Sequence, residues 1–439
     1  MLIDFSFSNF RSFRDEQSFS MTRDERFTES NDSRQSPITA IYGANASGKS
    51  NFLKAMCAMR NMVTNSYSQG DANSDILREP FLLRENPFEE PSMFFLEFTA
   101  ENHLKYQYWF RYNNKHILEE ELTFFKDMGG RLSTHSSLLF SRTGNDEVKF
   151  GATFKGPRTQ VRKTVGLRPN ALLLSAAAAA GIECVQPVFS FFQNDMAYCV
   201  ANAFEQEQPI LLDQFKNKTP FSKHLTSLIK YADFGISDVK SVPANIPSDI
   251  WHQFKEQMKT QIGADEGKLE EAFNIKNATQ LQFTHTGGDS SSAGFGLDNE
   301  SRGTVAALSF FSLALRQLSR PTVTLIDEID TSLHPTLVAE LVALYTDPAT
   351  NPHGSQLIFT THDVSLINQS GSSNRLLQPD QIWLVEKDKG GASELFPVTE
   401  LGIRKEENIG KNYLNGVYGA TPNPSFHTVF AQIMNGDDD

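Results

Sequence analysis

Cysteine is scarce in this chain, with only Cys57, Cys184 and Cys199 among 439 residues. They are too few and too scattered for a disulfide framework or a zinc site, which fits a reducing compartment. Long apolar runs are missing too. No stretch approaches the roughly 18 to 20 residues a membrane span needs, and the start MLIDFSFSNFRSF carries acidic and polar residues where a secretory leader is greasy. A cytoplasmic protein with no membrane partner is therefore expected. Positive charge is in deficit as well: the formal charge of -13 argues against broad affinity for nucleic acid, unless a local basic patch supplies it. There is no internal repeat, no sustained heptad pattern and no C-x-x-C hook, so long coiled-coil arms are excluded.

What is present is organised most strongly at the two ends. Ile3, Phe5 and Phe7 alternate with polar residues, as a strand with one buried face does, and EQSFSMT reads as a second strand. ITAIY then leads into GANASGKS, residues 43–50, which fits G-x-x-x-x-G-K-[ST]. After it Phe52, Leu53, Met56 and Met59 fall at helical spacing. Residues 80–150 are strand-rich and 169–276 mostly helical, including SAAAAAG and EEAFNI; GGDSSSAG at 287–294 reads as a flexible loop. Late in the chain PTVTLIDEID and SQLIFTTHD are two more short apolar runs that end in polar pairs. Such runs suit central strands of a parallel sheet covered on both faces, and ligands bind beyond the carboxyl ends of those strands.

The chemistry follows from the residue types. Backbone N–H groups from Gly43 through Asn45, Ala46, Ser47 and Gly48, at the head of a helix, suit phosphate oxygens. Lys49 would reach the β and γ phosphates, Asn51 follows in the first helical turn, and the Ser50 hydroxyl with Asp327 would hold Mg²⁺. Glu328, one residue beyond Asp327 and so on the other side of a strand terminus, is free to take a proton from an attacking water. His362 could sense the γ phosphate and polarise that water. ESRGT at 300–304 opens an apolar helix, where Ser301 and Gly303 present a hydroxyl and free N–H groups to an anion, or simply cap the helix.

Most of the chain separates the glycine loop from the acidic strand, and with that spacing the motif set resembles the split heads of ABC-type ATPases of the SMC, RecF and OLD kind. FSFSNFRSFRDEQSFSM is similar to their first strand pair, and DEIDTSLHP with TTHD to their acidic strand, D-loop and switch histidine. The resemblance covers residues 1–62 and 296–420. It implies an α/β fold: a head with a mixed sheet and phosphate loop, split by a long, mainly helical insertion. The halves are residues 1–62 and 296–439; 63–168 is a strand-rich continuation with a basic loop, and 169–295 the helical insertion. ATP and Mg²⁺ are the implied ligands and ATP hydrolysis the implied activity. Two copies would sandwich two nucleotides head to tail, with Ser301 and Gly303 acting in trans, His334 in the D-loop at the seam, and Arg11 beside the nucleotide.

Three departures stand out. The signature reads S-R-G-T where relatives have S-G-G. Ala46 replaces a frequent glycine, which a cradle tolerates if φ there is not positive. A Q-loop glutamine is not placed, since neither Gln69 nor Gln107 has a persuasive context. The GANASGKSN loop, the ESxGT signature and the segment Tyr413–Pro422 together resemble compact bacterial ATPases found in antiphage or abortive-infection loci beside an effector, often a nuclease. LVEKD at 384–388 is followed by too little chain for a TOPRIM nuclease and reads as a hairpin closing the head. Three functions stay open: an ATPase that regulates a partner effector, a RecF-like or SMC-like DNA-binding repair ATPase, and a slowly hydrolysing assembly scaffold. Arg158, Arg162 and Lys163, in a stretch without carboxylates, would carry a nucleic-acid or effector contact, or lie in a solvated loop.

Overall fold

The computed structural model describes residues 1–27, 34–144, 147–199, 204–232, 234–244, 279–289, 291–368, 375–404, 406–422 and 424–435. The chain forms two units, Met1–Ala201 with Gln317–Asp330 and Val338–Asp439, and Asn202–Arg316 with Thr331–Leu337. EEAFNI lies outside the described residues.

The first unit begins with β1 (Leu2–Ser8), β2 (Gln17–Ser20), β3 (Ile38–Gly43) and helix α1 (Lys49–Asn65). It continues through β4 (Ser92–Thr99), β5 (Lys105–Tyr112), β6 (Ile117–Asp127), β7 (Leu132–Thr143), β8 (Glu147–Phe150), α2 (Arg158–Leu167), α3 (Leu173–Ala179) and β9 (Met196–Cys199). The second unit supplies β10 (Ile236–Pro243), β11 (Thr279–Thr286) and β12 (Ser292–Gly296), after which the first resumes with β13 (Val323–Ile326), β14 (Gln356–Thr360), β15 (Ile382–Lys387) and β16 (Ser393–Pro397).

Two sheets result. One is antiparallel, in the order β2-β1-β4-β5-β6-β7-β8. The other runs β16-β15-β3-β14-β13-β9 and is parallel except for the β15–β16 hairpin. Every residue of β3, β13 and β14 is buried; this is why those strands read as unbroken apolar runs rather than as alternation. β1 instead buries Phe5 and Phe7 while Asp4, Ser6 and Ser8 stay partly exposed. The 384–388 segment is a hairpin strand, as its sequence suggests.

The core is shared by both sheets and α1, whose Phe52, Leu53, Met56, Met59 and Val63 are buried. Phe52 packs at 6.2 Å from Phe5 of β1 and 5.0 Å from Phe19 of β2, and Phe19 at 4.9 Å from Trp383 of β15. α1 is thereby clamped between the layers. Burying a side chain of this size contributes roughly 1.5 to 3 kcal/mol, so the head of α1 is held by a deep apolar anchor.

Beneath the antiparallel sheet lies a charged knot. Glu120 and Arg142 are 1% exposed each, with Nη1 and Oε2 3.7 Å apart. The Glu120 carboxylate accepts from the N–H groups of Leu173 and Leu174 at 2.7 and 2.9 Å and from the Tyr108 hydroxyl at 2.9 Å. Arg142 donates to the carbonyls of Gly144, Pro169 and Ala171. α3 has no side-chain cap of its own, so Glu120 serves its first-turn N–H groups from a neighbouring strand.

The basic stretch after Lys155 is not a solvated loop. It forms α2, and its arginines grip the chain: Arg158 donates to the carbonyls of Gly151 and Phe154, and Arg162 to that of Val148. Both guanidinium groups also lie within 6 Å of the Phe150 ring. Carbonyl acceptors at the end of the β7–β8 hairpin engage two of the three cations that the sequence offered to a partner, and Lys163 is exposed on the same helix.

In the second unit β10, β11 and β12 form an antiparallel sheet, flanked by the helices Phe204–Lys216 and Pro220–Tyr231. Residues 292–294 of the expected flexible loop belong to strand β12, which pairs with β11 and sets Phe295 across from Phe283. Glu207 accepts from Ser312 at 2.8 Å and pairs with Arg316, tying the first of these helices to Arg302–Gln317.

Candidate functional site

Strand register assembles the first part of the site. β14 lies between β3 and β13, with Phe359 opposite Ile326 and Thr360 opposite Ile41. The chain therefore leaves β3 at Gly43, β13 at Asp327 and β14 at Thr361 along one edge. There the Asp327 carboxylate accepts from Ser50 Oγ at 3.0 Å and from Thr360 Oγ1 at 2.7 Å. The first residues of α1, the acidic strand and the TTHD strand thus meet at a single oxygen, Oδ1.

The loop itself is pressed from outside. A Cβ on Gly43 would lie 2.4 Å from the Val385 carbonyl, and one on Gly48 would lie 2.6 Å from Ser393 Oγ and 2.9 Å from Ser12 Oγ. Only glycine fits at these positions. Ser393 also donates to the Ser47 carbonyl at 2.5 Å, while the Ser47 hydroxyl is buried without a partner. α1 starts at Lys49 with no side-chain cap, so its first N–H groups are left for an anion. A buried orphan hydroxyl, an uncapped helix head and a cradle with no room for side chains all fit a phosphate chain.

Lys49 is buried and donates to the carbonyls of Gly43 at 2.8 Å and Ala44 at 3.1 Å. Burial lowers its pKa, against the opposing charges of Glu328, Asp327 and Asp330. Asn45 is exposed at the loop tip. Ala46 departs from expectation: its φ is 62°, so the loop needs a left-handed residue here and alanine adopts that conformation at a cost of about 1 to 2 kcal/mol. Arg11 reaches the head of α1, donating to Asn51 Oδ1 at 3.4 Å and pairing with Glu79 at 2.6 Å, and Asn51 in turn donates to Ser12.

Glu328 is placed by a mechanism other than strand alternation. β13 ends at Ile326, and Glu328 adopts φ 53° with its N–H donating to Thr360 Oγ1 at 2.7 Å. Left-handed non-glycine residues cluster where surrounding structure over-determines them, which is common at functional sites. His362 donates its backbone N–H to the Asp330 carboxylate at 3.3 Å. Desolvation first, and the Lys49 charge second, hold its imidazole below the ordinary histidine value, while Asp330 and Glu328 oppose them. A neutral ring at pH 7 can accept or donate a hydrogen bond.

Asp327 with Ser50 could hold a divalent cation. No group of three or more His, Cys, Asp or Glu able to bind a metal occurs among the described residues. A hydroxyl and one carboxylate suit Mg²⁺, which takes its remaining ligands from water and phosphate. No helix among the described residues is long and apolar enough to cross a membrane.

Ser301, Gly303 and His334 belong to the second unit. Ser301 Oγ accepts from Thr304 N–H at 3.0 Å and shares a hydrogen bond with Thr304 Oγ1, so the serine caps its own helix. A Cβ on Gly303 would meet the Ser332 carbonyl at 2.7 Å, so this glycine sits close against the 331–337 segment of the same unit. His334 Nδ1 accepts from Thr336 N–H at 3.3 Å. Glu300, next to Ser301, bonds His285 of β11 at 2.9 Å.

Thr360, Asp330, Ser12 and Ser393 are site residues the sequence did not single out. Thr360 and Asp330 stand inside the motifs TTHD and DEID and were legible there. Ser12 and Ser393 carry no local signal, because only folding brings them to the loop. Neither candidate Q-loop glutamine comes near: Gln69 lies beyond the far end of α1, about 25 Å along a 17-residue helix, and Gln107 Nε2 bonds Glu97 on the antiparallel sheet.

A family model described as "AAA domain, putative AbiEii toxin, Type IV TA system" matches residues 38–164 and 211–368, more than half of the chain. The chain belongs to this family. The two matched segments carry the phosphate loop and the acidic strand with TTHD, so an AAA-type ATPase domain is split around the intervening residues. Among solved structures the chain is similar to the Smc head domain with an extended coiled coil bound to the C-terminal domain of ScpA, from Pyrococcus furiosus. That likeness has 12% identity, 91% coverage of this chain and 97% of the other, and a TM-score of 0.37. It is also similar to the recombination mediator RecF with ATP, at 12% identity, 90% and 97% coverage and a TM-score of 0.36. No curated protein matches by sequence. These distant likenesses transfer no residue roles.

Proposed function

We propose that this protein binds Mg–ATP at the edge formed by Gly43–Asn51, Asp327 and His362, hydrolyses it to ADP and phosphate, and uses that cycle to regulate a partner effector. The observation that carries the reading is the junction at Asp327 Oδ1, shared by the Ser50 and Thr360 hydroxyls. When bound, Mg²⁺ would draw charge from the β and γ phosphate oxygens. Lys49 and the α1 head hold the phosphate chain, and His362 senses its terminal group and polarises the attacking water. Glu328 takes a proton from the attacking water as that oxygen bonds to γ-phosphorus; the β–γ bridging bond breaks and its electron pair leaves with ADP. Arg11 contributes from beside Asn51.

The regulatory half of the reading is supported by the toxin–antitoxin setting in the family's description; it includes a head pairing in which Ser301 and Gly303 of one copy would face the nucleotide of another, with His334 at the seam. The cap bond uses the Ser301 oxygen as acceptor, so its O–H, shared here with Thr304 Oγ1, can turn to donate to a phosphate oxygen, and Gly303 keeps its N–H at the helix head. A DNA-binding role through Arg158, Arg162 and Lys163 has less behind it, since the two arginines, though exposed, already donate to backbone carbonyls.

Lys49→Ala and Glu328→Gln test this together. Lys49→Ala is expected to lose ATP binding, and unchanged affinity in a fluorescent-nucleotide titration would remove the phosphate-loop role. Glu328→Gln is expected to keep affinity, lose turnover and accumulate a closed pair by size exclusion in ATP. Co-expression with the product of the neighbouring reading frame then reads the effector: its activity must differ between the two variants.

A further inference from the structure

The segment Tyr413–Pro422, YLNGVYGATP, packs against the strand that leads into the phosphate loop. It leaves the short helix Ile409–Leu414 and curls back on itself. Gly416, Gly419 and Ala420 take left-handed φ values of 72°, 66° and 56°, and the Gly419 N–H donates to the Gly416 carbonyl. The curl returns the Ala420 carbonyl to the Tyr413 hydroxyl, which donates to it at 3.3 Å. Tyr413 is thereby fixed from two sides, by its own helix and by the turn that follows.

From there the segment reaches both halves of the nucleotide edge. The Tyr413 ring meets the Tyr42 ring edge-on, with centroids 5.7 Å apart and planes at 65°. Tyr42 immediately precedes Gly43 in β3. Burial raises the Tyr413 pKa, and the Gly43 N–H near its hydroxyl opposes that rise; the hydroxyl therefore lies at the first residue of the phosphate loop. Tyr42 is fully buried, and its own hydroxyl donates at 2.9 Å to the carbonyl of Asp363, the neighbour of His362. The helix is seated on the same stretch: the Gly410 N–H donates to the Ile367 carbonyl at 3.0 Å, and a Cβ on Gly410 would lie 2.8 Å from the Asn368 Cα.

We propose that Tyr413 and Tyr42 are positioning residues for the nucleotide edge, Tyr413 setting the start of the phosphate loop and Tyr42 the His362 loop, with 409–420 as the brace behind both. A cradle of backbone N–H groups works only while each donor stays about 3 Å from its phosphate oxygen, so its backbone must be held from outside. Here α1 has no side-chain cap and Ala46 is left-handed, which leaves the loop little to hold it from within. The kinetic consequences of the brace presuppose the ATP reading of this edge; its hold on the two loops does not.

Tyr413→Phe and Tyr42→Phe keep the ring pair and remove one hydroxyl each. Tyr418→Phe is the comparator, because the Tyr418 hydroxyl bonds Glu407 and Asn412 rather than either loop. In the full chain without nucleotide, hydrogen exchange is followed by mass spectrometry in peptides covering 43–49 and 361–368. Tyr413→Phe should speed exchange in the first and Tyr42→Phe in the second, by about three- to tenfold, the loss expected for one hydrogen bond; Tyr418→Phe should change neither. In steady-state ATPase assays Tyr413→Phe should raise KM more than it lowers kcat, and Tyr42→Phe should lower kcat more than it raises KM. Unchanged exchange in both loops overturns the proposal. So does a Tyr413→Phe chain that differs only by the lower unfolding midpoint Tyr418→Phe also shows, or one KM-to-kcat pattern shared by both tyrosine variants. An unsubstituted chain that neither binds nor hydrolyses ATP defeats the nucleotide reading instead, and the exchange measurement then still decides whether the two tyrosines hold the loops.

Discussion

Two charged clusters in the first unit are built on opposite principles. In the Glu120–Arg142 knot every recorded partner is internal: two backbone N–H groups, a tyrosine hydroxyl, three carbonyls and the opposing charge. At the sheet edge Lys49, Asp327, Glu328, Asp330 and His362 crowd together, burial lowers the pKa of Lys49 and of His362, and an uncapped helix head and an orphan hydroxyl are left in their midst. Burial raises the Glu120 pKa against four stabilising partners, so the knot is a closed structural device. The edge keeps unmet hydrogen-bonding capacity, which is what a ligand requires.

The sharpest way to break this comparison is to substitute one member of each cluster. Arg142→Met leaves Glu120 buried opposite an apolar side chain, with three carbonyls also losing their donor. It should destabilise the unit by about 3 to 5 kcal/mol in chemical denaturation. Adding Glu120→Leu should recover part of that loss, and a stable Arg142→Met single variant would show that the knot is not a coupled unit. Glu328→Gln should do the reverse, with turnover falling roughly a hundredfold or more while the unfolding midpoint stays near that of the unsubstituted chain.

Thr360→Val separates the roles within the edge. It removes the second hydroxyl from Asp327 and the acceptor of the Glu328 N–H. A loss of about 10- to 100-fold in apparent Mg²⁺ affinity is expected, read by titrating ATPase rate against the metal. Ala46→Gly relaxes a left-handed alanine, and the gain of up to about 1 kcal/mol should appear as a higher unfolding midpoint with affinity for ATP preserved; a lower midpoint would show that the φ of 62° carries no strain.

The smallest effect concerns His362, whose folded pKa lies below its unfolded value. Between those values the unfolded chain binds more protons, so this residue's contribution is complete above about pH 6.5 and stability is lost as pH falls through that window. His362→Gln should flatten that part of the acid limb. Lys49→Ala, by removing a nearby positive charge, should raise the His362 pKa toward the ordinary value in an NMR titration; no movement would place the two side chains in separate environments.

The legibility of the two clusters differs for a physical reason. Gly43, Lys49, Ser50, Asp327 and His362 sit at ends of apolar runs, and a parallel sheet delivers such ends to one edge, so their meeting could be read from pattern. Glu120 lies in the middle of ILEEELTFF, where three successive carboxylates look like a solvated face; only pairing with β7 and docking of the 169–174 segment turn one of them inward. Ser393 was invisible for the same reason, since a hairpin hundreds of residues downstream carries it to the Ser47 carbonyl.

By itself the sequence determined which polar residues end the apolar strands, that those strands converge on one edge and the split between its halves, because all of these follow from local pattern and spacing. The tertiary structure alone decided that Ala46 and Glu328 are left-handed, that the basic stretch is a docked helix, that Glu120 and Arg142 form a buried knot and that Tyr413 comes to rest against Tyr42. Those outcomes depend on which distant backbone groups arrive beside a residue, and residue order states that only after the chain has folded.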